Sequence, residues 1–154
     1  MKVYFLGTGT SQGIPVIGSQ HSVCKSNNPK DKRLRVAVWV HDEQFSVVID
    51  CGPDFRQQML TSGCQQLDAI IFTHEHADHT AGLDDIRPFF FKQGDIPIYA
   101  HQRVLDNLSR RFDYIFETEN KYPGAPSVVS NVVKNNESFS IQKNTIIPIE
   151  VNHG

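Results

Sequence analysis

The stretch Thr73-His74-Glu75-His76-Ala77-Asp78-His79 constrains this chain more than any other. It places three histidines and one aspartate within positions 74–79, directly behind the apolar run Leu67-Asp68-Ala69-Ile70-Ile71-Phe72. The run reads as a buried strand. A helix would bring together only side chains at i, i+3 and i+4, whereas a loop leaving a strand can turn several neighbours onto one point. Imidazole and carboxylate are ligands that zinc and manganese accept. The pattern therefore points to a metal centre at a strand end, with room for two ions. A polar loop that is His-rich by chance leaves this concentration of ligand types unaccounted for.

The rest of the chain sets limits. At 154 residues it has the length of one domain, 1–154. With 39% hydrophobic and 21% charged residues its composition is that of a soluble globular protein. The formal net charge of -2 gives no strong pull toward nucleic acid or an anionic membrane. The N-terminus Met1-Lys2-Val3-Tyr4-Phe5-Leu6-Gly7 is too weakly apolar for a signal peptide. No segment approaches the roughly 20 apolar residues that cross a bilayer. Cys24, Cys51 and Cys64 have no framework spacing and read as reduced thiols. A cytoplasmic location is expected.

Strands are expected at 2–6, 36–40, 45–49, 67–72, 96–100, 128–133, 139–141 and 145–151. Helices are expected at 54–61, closed by Gly63, and at 101–110, with a short helical or turn segment over 80–88. His41-Asp42-Glu43-Gln44 reads as a hairpin turn with an exposed His41. Gly7-Thr8-Gly9-Thr10-Ser11-Gln12-Gly13 lacks the third glycine of a dinucleotide fingerprint and the Gly-Lys-Ser/Thr of a P-loop, so it reads as a tight turn whose backbone N–H groups face a site. Residues 14–34 form a long irregular loop. The mixture is α/β or α+β with layered sheets and no repeats.

Two divalent ions about 3.5–4 Å apart can clamp both oxygens of a displacement. His74 and His76 suit one ion, with His153 placed to close its set. Asp78 and His79 suit the other. No bridging carboxylate is evident.

Thr73-His74-Glu75-His76-Ala77-Asp78-His79 resembles the Thr-His-x-His-x-Asp-His motif of the metallo-β-lactamase fold superfamily. Asp50-Cys51-Gly52 resembles its Asp-x-Gly motif, in which the aspartate supports the metal loop from behind, and His153 resembles its third motif. Phe5-Leu6-Gly7-Thr8-Gly9-Thr10-Ser11-Gln12-Gly13-Ile14-Pro15 and His79-Thr80-Ala81-Gly82-Leu83-Asp84-Asp85-Ile86-Arg87-Pro88 are similar to the PhnP-type branch, phosphodiesterases related to tRNase Z. The resemblance implies an αββα sandwich. It also implies a bridging aspartate and a final histidine beyond His153, so this chain corresponds to the first half to two-thirds of such a protein. Two divalent ions, zinc or manganese, are implied for the full-length protein, and one or none for this chain. Members of the branch often complete a structural zinc with Cys-x-Cys-x-x-Cys, where this chain has Ser19, His21 and Cys24. His21 and Cys24 are candidate ligands there, and Ser19 is a poor one.

The activity implied is hydrolysis of a small phosphodiester, cyclic ones included, by a metal-bound hydroxide, with Asp78 orienting the nucleophile. Arg87 and the basic run Lys30–Arg35 are candidate substrate contacts, against an ion pair of Arg87 with Asp84 or Asp85 and a solvated loop. The alternatives are a thioester, a lactone or an RNA end as substrate, or a catalytically incomplete metal-binding fragment. RNA is disfavoured by the absence of a basic stripe. A flavodiiron-type redox site would want a carboxylate where His76 stands. An incomplete sandwich exposes apolar sheet, so a homo-oligomer is expected.

Overall fold

The structure, a computed structural model, describes residues 1–153. A six-stranded sheet carries the fold. Its strands are β1 (Lys2–Gly7), β2 (Ala37–Asp42), β3 (Phe45–Ile49), β4 (Ala69–Ile71), β5 (Ile96–Ala100) and β6 (Val128–Val132), adjacent in that order. The pairs β1–β2 and β2–β3 are antiparallel, and β3–β4, β4–β5 and β5–β6 are parallel. Consequently β1, β3, β4, β5 and β6 all end at one edge of the sheet. In such sheets the carboxyl ends of the strands are where sites form.

The helices are α1 (Ser22–Lys25), α2 (Phe55–Ser62), α3 (Ala77–Thr80), α4 (Arg87–Gln93), α5 (Gln102–Arg111) and α6 (Asp113–Phe116). One core joins Phe55, Phe89, Leu105, Leu108 and Ile115 of α2, α4, α5 and α6 to Val48, Ile70 and Ile98 of the sheet. A smaller cluster of Phe45, Val47 and Ala69 fills the opposite face. There the hairpin β7 (Phe139–Ile141) and β8 (Asn144–Ile146) covers it with Ile141, and Tyr99 stacks on Phe139 at 4.9 Å between centroids. The order is one helical layer, one full sheet and the first hairpin of a second sheet. Val3 and Phe5, which pair with Val40 and Val38, remain exposed on that second face.

Several expected boundaries change. The strand expected over 145–151 stops at Ile146. Pro148 has no N–H to give a ladder, and Ile147, Ile149 and Val151 are exposed with no partner strand. Residues 80–88 hold a 3-10 turn, Leu83–Ile86, and the start of α4, a helix not anticipated from Pro88. Pro88 sits in its first turn, where a missing N–H costs nothing. The hairpin turn is Glu43–Gln44, so His41 lies within β2, half-buried and stacked on Trp39 at 3.7 Å. The irregular loop contains α1 and a 3-10 turn at Pro29–Asp31.

The Gly-rich opening also has a different role. A Cβ on Gly7 would overlap the carbonyls of Arg35 and Leu34, and one on Gly9 those of Arg33 and Leu34. The glycines let the 33–35 backbone lie against β1's end. The Gly9 N–H is spent on Leu34 O and the Gly13 N–H on Thr10 O, so neither faces a site. Asp54 fixes the other side of that segment, accepting from Arg35 N–H at 2.8 Å and from Arg35 Nη1 at 3.0 Å.

Candidate metal centre

Asp50 is the hub of the site. It follows β3 with φ +65°, a left-handed conformation that aspartate tolerates better than most residues. Its side chain is buried, and the turn aims it at the end of β4. Oδ1 accepts from Thr73 N–H at 2.9 Å, and the Thr73 hydroxyl donates to Oδ2 at 2.8 Å. Oδ2 also accepts from His79 Nδ1 at 2.6 Å. A carboxylate only accepts, so this contact assigns the His79 proton to Nδ1 and leaves Nε2 with a free lone pair. His74 is set the same way at one remove. Its Nδ1 lies 3.0 Å from Thr73 Oγ1, whose own proton goes to Asp50, so His74 donates from Nδ1 and presents Nε2.

Backbone contacts dock the histidine loop onto the Asp50-Cys51-Gly52 turn. Cys51 N–H donates to His79 O at 2.8 Å, and Gly82 N–H donates to Cys51 O at 2.9 Å. A Cβ on Gly52 would overlap Asp78 O, and one on Gly82 would overlap Gly52 O. The glycine of the Asp-x-Gly turn is therefore required by close approach of two backbones, not by its own dihedrals.

The imidazoles gather at this edge. His74 Nε2 lies 3.0 Å from His76 Nδ1. The His153 ring centroid is 4.7 Å from that of His74 and 5.7 Å from that of His76. One nitrogen from each of the three lies within 4.8 Å of the others. That convergence matches an ion with metal–nitrogen bonds of about 2.0–2.1 Å. Beside it, Asp78 Oδ2 is 3.3 Å from His79 Nε2, a second convergence of ligand atoms. The His74 and His79 centroids are 4.1 Å apart, so the two groups adjoin. Together they offer four imidazoles and one carboxylate, and the tautomers fixed by Asp50 turn Nε2 of His74 and His79 to these convergences. The donor set fits borderline divalent ions.

The hydrogen bond that His79 donates to Asp50 raises the His79 pKa above the usual histidine value, against partial desolvation. Desolvation, reinforced by the neighbouring imidazoles His79 and His76, lowers that of His74. A metal needs the unprotonated ring. A proton thus competes more strongly for the His79 ring than for the His74 ring.

Other candidates lie apart. His21 Nδ1 accepts from Val23 N–H and caps α1, while Cys24 Sγ accepts from Val16 N–H at 3.5 Å. No third histidine, cysteine or carboxylate joins them among the described residues. Arg87 Nη2 donates to Asp84 Oδ1 at 2.9 Å. Tyr114 donates to the same oxygen, and its own pKa is pushed up to about 12 by desolvation and by that bond. Of the basic run, Arg33 is tied to Lys30 O and Thr8 Oγ1, and Arg35 to Ser11 O and Asp54. Thr73 stands at the head of the motif, yet its part in orienting His74 is visible only once Asp50 is seen in contact.

A family profile described as a beta-lactamase superfamily domain matches residues 46–154. The chain is 41% identical over its full length to a protein of Porphyromonas gingivalis named octanoyltransferase, covering 31% of that protein. It is 30% identical over 129 residues to a ribonuclease Z of Bacillus licheniformis, covering 80% of this chain and 37% of the ribonuclease. Among solved structures it is similar to a diphosphatase of the PhnP family, with TM-score 0.83 and 38% identity over 94% of this chain and 54% of that one. The chain thus spans about a third of the curated relatives' length and about half of the solved chain.

Proposed function

This chain belongs to the beta-lactamase superfamily domain family, and on that footing we propose that it carries the principal metal-binding part of a metal-dependent phosphodiesterase. The observation that carries the reading is the single Asp50 carboxylate, which directs Nε2 of His79 and, through Thr73, Nε2 of His74 to one edge of the sheet. His74, His76 and His153 would hold one divalent ion, zinc or manganese. Asp78 and His79 would begin the set for a second, whose remaining ligands are not among these residues. Ions bound there supply an activated water and neutralise charge on the phosphoryl oxygens.

The chain's own residues do the rest. Asp50 fixes the ring orientations, and Thr73 relays that control to His74. The Asp78 carboxylate would accept a hydrogen bond from the O–H of the nucleophile and so orient it. The likeness to a PhnP-family diphosphatase at 38% identity supports chemistry at phosphorus over chemistry at carbon.

Acyl chemistry is the second reading, favoured by the 41% identity to a protein named for octanoyl transfer. That protein is about three times as long as the region matched, so its name has no necessary seat in this part. Parallel assays separate the two. The full-length protein, reconstituted with zinc or manganese, is expected to hydrolyse bis(p-nitrophenyl) phosphate and to leave p-nitrophenyl octanoate untouched. Turnover of the octanoate alone would replace the phosphodiesterase reading with the acyl one.

A further inference from the structure

We propose that Arg111, at the last turn of α5, is a positioning residue for the histidine loop, acting on the metal set through Glu75 and Thr80. The inference rests on the metal-centre reading above. Arg111 Nη1 donates to the carbonyl oxygen of Glu75 at 3.0 Å and to Thr80 Oγ1 at 2.8 Å. Glu75 is the residue between His74 and His76. Thr80 is fully buried, and its hydroxyl passes the bond on, donating to His76 O at 2.9 Å. One guanidinium nitrogen thus ties down both ends of the segment that presents His76, Asp78 and His79.

The strut starts from a rigid base. Val104, Leu105 and Leu108 bury one face of α5 in the core, and His101 caps its start directly after β5. The guanidinium also lies over the Phe112 ring, 5.4 Å from its centroid, which limits its swing. Arg103, one end of the helix away, pairs with the Glu75 carboxylate at 3.2 Å but touches no backbone of the loop. The two arginines therefore differ in kind. Arg103, itself exposed, holds only the Glu75 side chain, whereas Arg111 holds the peptide group that sets the spacing of His74 and His76. Asp50 sets the rings of His79 and, through Thr73, of His74, and Arg111 holds the backbone that carries them. Lysine keeps the charge and three N–H donors on one nitrogen, but it lacks the planar guanidinium that lies over Phe112, so its flexible stem holds the same two acceptors less firmly.

Cobalt(II) substitution reads this directly, because its visible absorption reports ligand geometry and its titration reports affinity. Arg111→Ala is expected to weaken cobalt binding roughly 10- to 100-fold, the range seen when partners of metal ligands are removed, and to change the absorption envelope. Arg111→Lys should fall between wild type and Arg111→Ala. Arg103→Ala should bind as wild type does. The melting temperature of the metal-free protein should move by no more than about 2 °C in any of them. Wild-type affinity and spectrum in Arg111→Ala would overturn the positioning role while leaving the metal centre standing. A wild-type protein that takes up no cobalt would overturn both.

Discussion

Replacing Asp50 by asparagine should cost roughly 10- to 100-fold in metal affinity while the metal-free fold survives, whereas alanine should cost both. The two variants differ in what they take away. Asparagine, like aspartate, accepts the left-handed backbone at φ +65°. Its Oδ1 can still accept from Thr73 N–H. Its amide, however, meets both His79 Nδ1 and Thr73 Oγ1 with donors, so His79 moves its proton to Nε2. The Thr73 hydroxyl, now accepting, is free to donate to His74 Nδ1 and send that proton to Nε2 as well, which leaves neither Nε2 a lone pair for an ion. Alanine leaves the Thr73 N–H and the His79 Nδ1–H without an acceptor in a buried place, at about 1–3 kcal/mol each, and adds strain at a positive φ. Urea denaturation of the metal-free proteins should show Asp50→Ala less stable by about 3 kcal/mol, with Asp50→Asn close to wild type. Zinc titration should show both impaired. An Asp50→Asn protein with wild-type zinc affinity would mean that this carboxylate does not set the tautomer.

Gly52→Ala carries the second large effect. The added methyl meets the Asp78 carbonyl, which is backbone and cannot rotate away. The histidine loop must lift off the Asp50-Cys51-Gly52 turn, which stretches the bonds from Cys51 N–H to His79 O and from Gly82 N–H to Cys51 O. Overpacking of this kind costs about 1–3 kcal/mol, and the strained backbone bonds add to it. The expected result is a loss of about 2–4 kcal/mol by denaturation, with displaced ligands and weakened metal binding. Gly63→Asn supplies the control. Gly63 caps α2 at φ +72° with open space where a Cβ would go, so asparagine there should be nearly neutral. If Gly52→Ala is as mild as Gly63→Asn, the docking of the two backbones is not what holds the loop.

Much of this was legible in the chain itself. The apolar runs that became β2 to β5 announce themselves by residue type, and the histidine motif announces the metal loop at the end of β4. Gly63 stops α2 as its composition requires. What stayed hidden depends on partners far along the chain. The segment 80–88 reads as a short helical or turn piece, and nothing in it announces that α4 begins at Arg87 and runs on to Gln93. The run 145–151 reads as a strand, but a strand needs a neighbour, and past Ile146 none is paired with it. The glycines at 7 and 9 read as a site-facing turn because sequence cannot show that residues 33–35 press against them. Arg111 carries no signal at all, since the Glu75 carbonyl it holds lies 36 residues away.

The central claim is that His74, His76 and His153 form a real metal set in this chain, with Asp78 and His79 as an unfinished second one. Elemental analysis after reconstitution and exhaustive desalting tests it most directly. The expected result is close to one equivalent of zinc or manganese per chain, falling to background in His74→Ala. No retained metal in wild type, or an undiminished equivalent in His74→Ala, would contradict it.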